Sequence, residues 1–350
     1  WMRCGTDGKR KMDKKKVNQI IEYLKSPQTN KRTLLSYFIS SCDLDEMEMV
    51  YQKAPQLYHG LLSFSYLKRS KLEDVFKGRP VFFGTPEEYI EKATFIISKH
   101  SALINQYVEK SLMIDRAMLK GHYEEVHTRI KELEKYCGAS YWGPMYDIKA
   151  ERLENGLNSC IKLHNEYYQK GQQMIKWMIN AAFHSSSLDF ADPSAGLLVN
   201  AENTQAEKNY NRLMYVSCFP WKEIEVGEWM YYGLVTSMVD MYNELLLYLP
   251  NLKQEIRNTS KVKNSVEKLA QTINDPYLHK LAFLWGLRSN FQPNKERDAI
   301  LQAYYLGYYD SVIEQAETYL EENPEDFEVL RLNIQAMVLL GKAMPEYNRE

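Results

Sequence analysis

Leu306-Gly307-Tyr308-Tyr309-Asp310-Ser311-Val312-Ile313, then Ala316, Tyr319-Leu320-Glu321-Glu322-Asn323-Pro324, and a second Leu340-Gly341 placed 34 residues after the first, form the stretch that decides the fold. Ile300 recurs as Ile334 at the same interval. The spacing predicts two helices folded against each other. In the first, about 296–306, Ala299, Ile300, Ala303 and Leu306 make up the side to be buried. Gly307 closes it, because left-handed backbone costs glycine little. In the second, about 309–321, Val312, Ile313, Ala316, Tyr319 and Leu320 fall at i, i+1, i+4, i+7 and i+8, one apolar stripe. Ala303 and Ala316 are small where the helices approach. Pro324 ends the unit and Phe327 opens the next.

On these residues the segment resembles the tetratricopeptide repeat (TPR) family. The resemblance covers one full unit, 293–326, and the first helix of another, 327–341, and it rests on Gly307, Tyr309, Ile313, Tyr319 and Pro324. It departs from the family at Glu296, where Trp is usual, and at Val312, where a small Ala is usual. A weaker copy lies upstream. Leu119-Lys120-Gly121-His122-Tyr123-Glu124-Glu125-Val126 has the same Gly-x-Tyr-acid spacing, Ile130 and Leu133 continue one face, and Gly156 follows Gly121 by 35 residues. A single hairpin cannot bury its apolar face alone, so neighbours are expected to stack on it. The resemblance implies an all-α fold: an α-α superhelix of TPR-like helical hairpins with an irregular central insertion. It also implies a concave groove, floored by the first helix of each unit, that grips a peptide or partner helix. The groove residues so implied are Arg297, Leu301, Tyr304 and Tyr305, and in the next unit Glu328, Arg331, Gln335 and Val338. Arg297 and Arg331, 34 apart, are expected to hold an acidic or C-terminal carboxylate.

Outward from this segment the helical rhythm persists. Residues 1–16 read as a flexible basic tail, 17–77 as an N-terminal helical subdomain, 87–183 as degenerate helical hairpins, 184–232 as an irregular linker or insertion, and 233–350 as C-terminal TPR-like repeats. Val17, Ile20, Ile21 and Leu24 predict the first apolar stripe, and Leu34, Leu35, Phe38 and Ile39 the next. Ser70 and Glu73 look like a capping box. After a break at 78–86, Thr85, Pro86 and Glu88 predict a capped helix start. Trp229–Leu249 is the most apolar run, but it holds Asp240, Asn243 and Glu244 and so reads as a buried helix, not a membrane span.

Composition narrows the class. The 350 residues are 45% hydrophobic and 26% charged, with 16 Gly and 12 Pro, which excludes disorder throughout and disfavours a turn-rich β fold. Net charge is −2, so nucleic acid is a disfavoured partner. The charge is uneven: residues 1–32 hold ten basic against three acidic side chains, and residues 291–350 five against twelve. Cys4, Cys42, Cys137, Cys160 and Cys218 are odd in number and lack a CxxC, which predicts free thiols in a reducing, cytoplasmic setting. The sequence begins at Trp1, so these residues say nothing of what precedes it.

No catalytic residue, cofactor fingerprint or metal-ligand set is expected. Arg116 and His122 fit the loose Arg–x(4–6)–His spacing of HEPN-type ribonucleases, yet the repeat pattern already accounts for Gly121-His122-Tyr123. His122 and His127 are five apart, about 140° around a helix, where metal ligands on one helix prefer i and i+4; both read as surface histidines on a charged helix. Asp43-Leu44-Asp45-Glu46 reads as an acidic helix start. The aromatic clusters at Tyr136, Tyr141, Trp142 and Tyr146, and at Trp229, Tyr231 and Tyr232, read as core packing. The expected function is non-enzymatic protein or peptide binding. The alternatives are a ligand-sensing regulator with a nucleic-acid module in 9–75, or a helical enzyme of unrecognised type in 87–250.

Overall fold

The computed structural model describes residues 14–26, 31–59, 71–72, 81–82, 85–170, 179–180, 183, 232–233, 237–324 and 326–342. The expected insertion at 184–232, apart from Tyr232, lies outside these residues, as do most of the basic tail, the Ser70–Glu73 pair, Cys4, Cys218, Trp229 and Tyr231. The fold is all-α. In chain order the helices are α1 (Lys14–Lys25), α2 (Lys31–Ser41), α3 (Leu44–Lys53), α4 (Pro86–Lys99), α5 (Ser101–Leu119), α6 (Tyr123–Cys137), α7 (Trp142–Lys170), α8 (Met238–Tyr248), α9 (Gln254–Arg257), α10 (Ser260–Thr272), α11 (Pro276–Leu284), α12 (Lys295–Tyr305), α13 (Tyr309–Glu322) and α14 (Phe327–Leu339). The β structure among the described residues is one two-residue antiparallel pairing, Val81–Phe82 with Tyr232–Gly233.

Local chemistry sets the helix ends. Asp43 caps α3 in a reciprocal box with Glu46, and Thr85 caps α4 in the same way with Glu88 behind Pro86. The four N-terminal apolar residues Val17, Ile20, Ile21 and Leu24 are all buried, as their spacing predicts. Lys14–Lys16 belong to α1, so the helix takes in the last three residues of the expected tail. α4 is the centre of the main core: Ile90, Ala93, Ile96 and Ile97 are fully buried, and the helix packs on α3, α5, α8 and α10. Each such branched side chain contributes about 1.5–3 kcal/mol by leaving water. The same apolar cluster runs from Val17 to Ala282, so the break at 78–86 does not divide the core. α8 is the helix expected within 229–249. Its Asp240 and Glu244 are buried and satisfied, Asp240 by the Ser237 hydroxyl and the Tyr141 amide and Glu244 by the Tyr248 hydroxyl.

The bends expected at Gly121, Gly156, Gly307 and Gly341 are all present with positive φ. At Gly121, Gly307 and Gly341 the two amides that follow the helix return to carbonyls of its last turn, as with Gly307 N to Tyr304 O (3.0 Å) and Tyr308 N to Ala303 O (2.9 Å). Gly286 ends α11 in the same way, a turn the sequence reading did not single out. At Gly156 the two halves of α7 fold back on each other: Tyr167 reaches Asp147, and the Cys160 thiol reaches the Ile148 carbonyl.

α12, α13 and α14 form a second, smaller apolar cluster in which each helix touches the other two. Ile300, Ala303, Val312, Ile313, Ala316 and Tyr319 are buried there, but Ala299 and Leu306 are exposed. The seam of α12 runs through Ile300 and Ala303 and ends before the cap, which leaves Leu306 outside. Cys42, Cys137 and Cys160 are buried free thiols. Among the described residues no helix is long and apolar enough to cross a membrane.

Candidate functional site

The residues expected to floor the groove stand on α12 and α14, which lie side by side. They do not all face outward. The Arg297 guanidinium is only 16% exposed: it pairs with Asp326 Oδ2 at 2.7 Å and also with Glu328. Burial opposes its charge, but the hydrogen bonds to Asp326 and Glu328 outweigh burial and hold the pKa above its ordinary value. Burial acts against Glu328 ionisation too, and Arg297 and Lys280 overcome it and lower its pKa. The expectation that Arg297 grips a partner's carboxylate is therefore corrected. Its charge is already met by two acids of this chain, and removing both would leave an unpaired, half-buried cation. The Tyr304 hydroxyl donates to Gln335 Oε1 at 3.0 Å, and Leu301 and Tyr304 pack against the small cluster. Tyr305 (74% exposed), Val338 (61%) and Arg331 remain open to solvent. Around them Leu306, Tyr308, Leu339 and Leu340 form an exposed apolar rim at the bends.

A second region lies on α5, α6 and α7. Arg116 and His122, the pair with ribonuclease-like spacing, line one cavity of about 300 Å3 together with Met113, Lys120, Glu125 and Arg129. Arg129 is paired with Glu125, and His122 lies 3.4 Å from the same carboxylate, which the Arg129 hydrogen bond holds below its ordinary pKa.

His127 is not the surface histidine expected from its own helix. Its side chain is 19% exposed, and Nδ1 stands 2.5 Å from Asp147 Oδ1. The hydrogen bond to Asp147 is the main cause of a raised His127 pKa. Nε2 faces Glu151 Oε2 at 3.3 Å and Glu154 Oε2 at 3.4 Å. Asp147, Glu151 and Glu154 fall at i, i+4 and i+7 of α7, so the three carboxylates form one stripe toward α6. The Tyr167 hydroxyl donates to Asp147 Oδ2 at 2.6 Å, and the Ser159 hydroxyl donates to Glu151. Nearby, burial first and then the Asp147 charge push the Glu134 carboxyl up to about 7. The acidic stripe was visible in the sequence. Its meeting with His127 depends on the Gly138 turn that sets the register of α6 against α7, which no local pattern reports.

No family model, no curated protein and no solved structure matches this chain.

Proposed function

We propose that this chain is a non-enzymatic protein-interaction module that receives a partner segment on the exposed side of α12 and α14. The supporting observation is the apolar rim: Tyr305, Leu306, Tyr308, Val338, Leu339 and Leu340 are all more than one-third exposed and cluster at the two matching bends. Large apolar side chains left exposed together near two bends are the kind of feature that marks binding faces. Charge selects the partner's chemistry. With Arg297 neutralised internally and twelve acidic against five basic residues over 291–350, the surroundings favour a segment carrying apolar and basic side chains over a free carboxylate. An amphipathic basic helix laid across the rim satisfies both terms.

The experiment compares proteins retained by the full chain with those retained by a Tyr305→Ser/Val338→Ser variant, measured by quantitative mass spectrometry. Both side chains are exposed, so the fold is retained. Partners that depend on the rim drop severalfold on the variant and are released by salt. Identical retention by the two chains rejects the rim as the binding face.

A further inference from the structure

We infer that His127, Glu151 and Glu154 form a mononuclear binding site for a divalent cation of the Zn2+ class. The three donor groups lie within 4.8 Å of one another. Asp147 accepts only, so His127 Nδ1 must carry the proton of their short hydrogen bond. In the neutral ring that leaves a lone pair on Nε2, pointed at two carboxylates. Acceptor then faces acceptor, and that arrangement calls for positive charge at Nε2, supplied by a second ring proton or by a cation held between the groups. Nε2 is shut off from solvent and has no hydrogen-bond partner of proper geometry, although both carboxylates are close. Among the described residues no lysine or arginine pairs with Asp147, Glu151 or Glu154, so three acids converge on one imidazole.

Two of the three donor separations fit a tetrahedral ion of the zinc class. Zn2+ holds nitrogen and carboxylate oxygen at about 2.0–2.1 Å, and a tetrahedron of that size has edges of about 3.3–3.4 Å. The two Nε2-to-oxygen separations are 3.3 and 3.4 Å. An octahedral ion with the same bond lengths brings neighbouring donors to about 2.9 Å, and Mg2+ prefers an all-oxygen shell. The second shell is also present: Asp147 orients the imidazole, Tyr167 orients Asp147, and Ser159 holds Glu151. Three protein ligands leave the fourth position to water, on the side where Glu154 is 31% exposed.

The test uses the full chain stripped with a chelator and titrated with ZnCl2 by calorimetry, and with Co2+ followed by visible absorption. One Zn2+ per chain is expected, with the intense visible bands of four-coordinate Co2+, and millimolar Mg2+ does not compete. Glu151→Gln/Glu154→Gln and His127→Ala each weaken binding about 100-fold or more, Asp147→Asn weakens it about 10–100-fold, and His122→Ala leaves it unchanged. Circular dichroism of the metal-free variants separates lost binding from lost folding, and the isosteric Gln pair carries the test if His127→Ala does not fold. Absence of Zn2+ binding, equal affinity in the Gln pair, or a weak six-coordinate Co2+ spectrum overturns the inference; the first of these leaves a protonated His127 as the cation among the carboxylates.

Discussion

Alanine at Gly307 tests the bend on which the C-terminal helix pair depends. Gly307 has φ +80°, and a Cβ built there meets no atom within 4 Å. Packing therefore neither opposes nor favours the added methyl, and the cost lies wholly in the backbone. Holding an L-residue in the left-handed region costs about 1–2 kcal/mol. The stiffer unfolded chain of alanine offsets about 0.4–1 kcal/mol of that. The net loss is about 1 kcal/mol, a factor of about five in the opening equilibrium. α12–α14 have their own apolar cluster, so the loss should be read there. Hydrogen exchange followed by mass spectrometry should show peptides of α12 and α13 exchanging about fivefold faster, with peptides of α4 unchanged. Gly307→Asn, which tolerates left-handed backbone, should cost less. The sign makes the experiment decisive. Were Gly307 in ordinary helical backbone, alanine would stabilise by about 0.4–1 kcal/mol. Slower exchange, or none altered, in Gly307→Ala therefore refutes the bend.

Other outcomes follow from the core. Burial raises the Glu244 carboxyl from 4.5 to about 8 and Asp240 to about 7, so the folded state keeps protons that the unfolded chain releases. Stability should fall as pH rises from about 4.5 toward 8 and level off above, by up to about 1.4 kcal/mol per pH unit for each group. Urea midpoints at pH 5.5, 7 and 9 read this, and Glu244→Gln should flatten the slope. Ile96, fully buried at the centre of α4, should cost about 2–5 kcal/mol when cut to alanine, measured as the loss in urea-unfolding free energy at constant m. Asp326 both caps α14 through the Val329 amide and pairs with Arg297. Asp326→Asn should keep the cap and lose only the charge, so Asp326→Ala should be the less stable of the two by about 1 kcal/mol in thermal melts.

The legible part of this fold is the part that short-range physics determines. The Thr85–Glu88 and Asp43–Glu46 boxes and the glycine bends each involve residues within about four positions, so the pattern on the chain is the interaction itself. Apolar stripes were legible for the same reason, since Val17, Ile20, Ile21 and Leu24 need only one another to form a face. What was misread depends on rotation about a helix axis. Leu306 and Ala299 were assigned to the seam because they extend a plausible stripe, yet a change in the rotation of α12 against α13 moves such flanking positions from inside to outside. Charges are affected most, because a buried ion must find its counter-ion across a helix interface, and that partner can stand anywhere in the chain. Arg297 was nonetheless within reach of sequence reasoning. A repeat of 34 residues sets successive first helices side by side, so a residue near position 328 is the natural neighbour of one at 297, and Glu328 stands there. The same argument was not available for His127. Its carboxylates lie on a helix of different length, beyond the Gly138 turn, and Tyr167 comes from the far side of the Gly156 bend. Periodicity relates equivalent helices. It does not relate α6 to α7, which is why the cluster around His127 left only an unassigned acidic stripe and a lone histidine in the sequence.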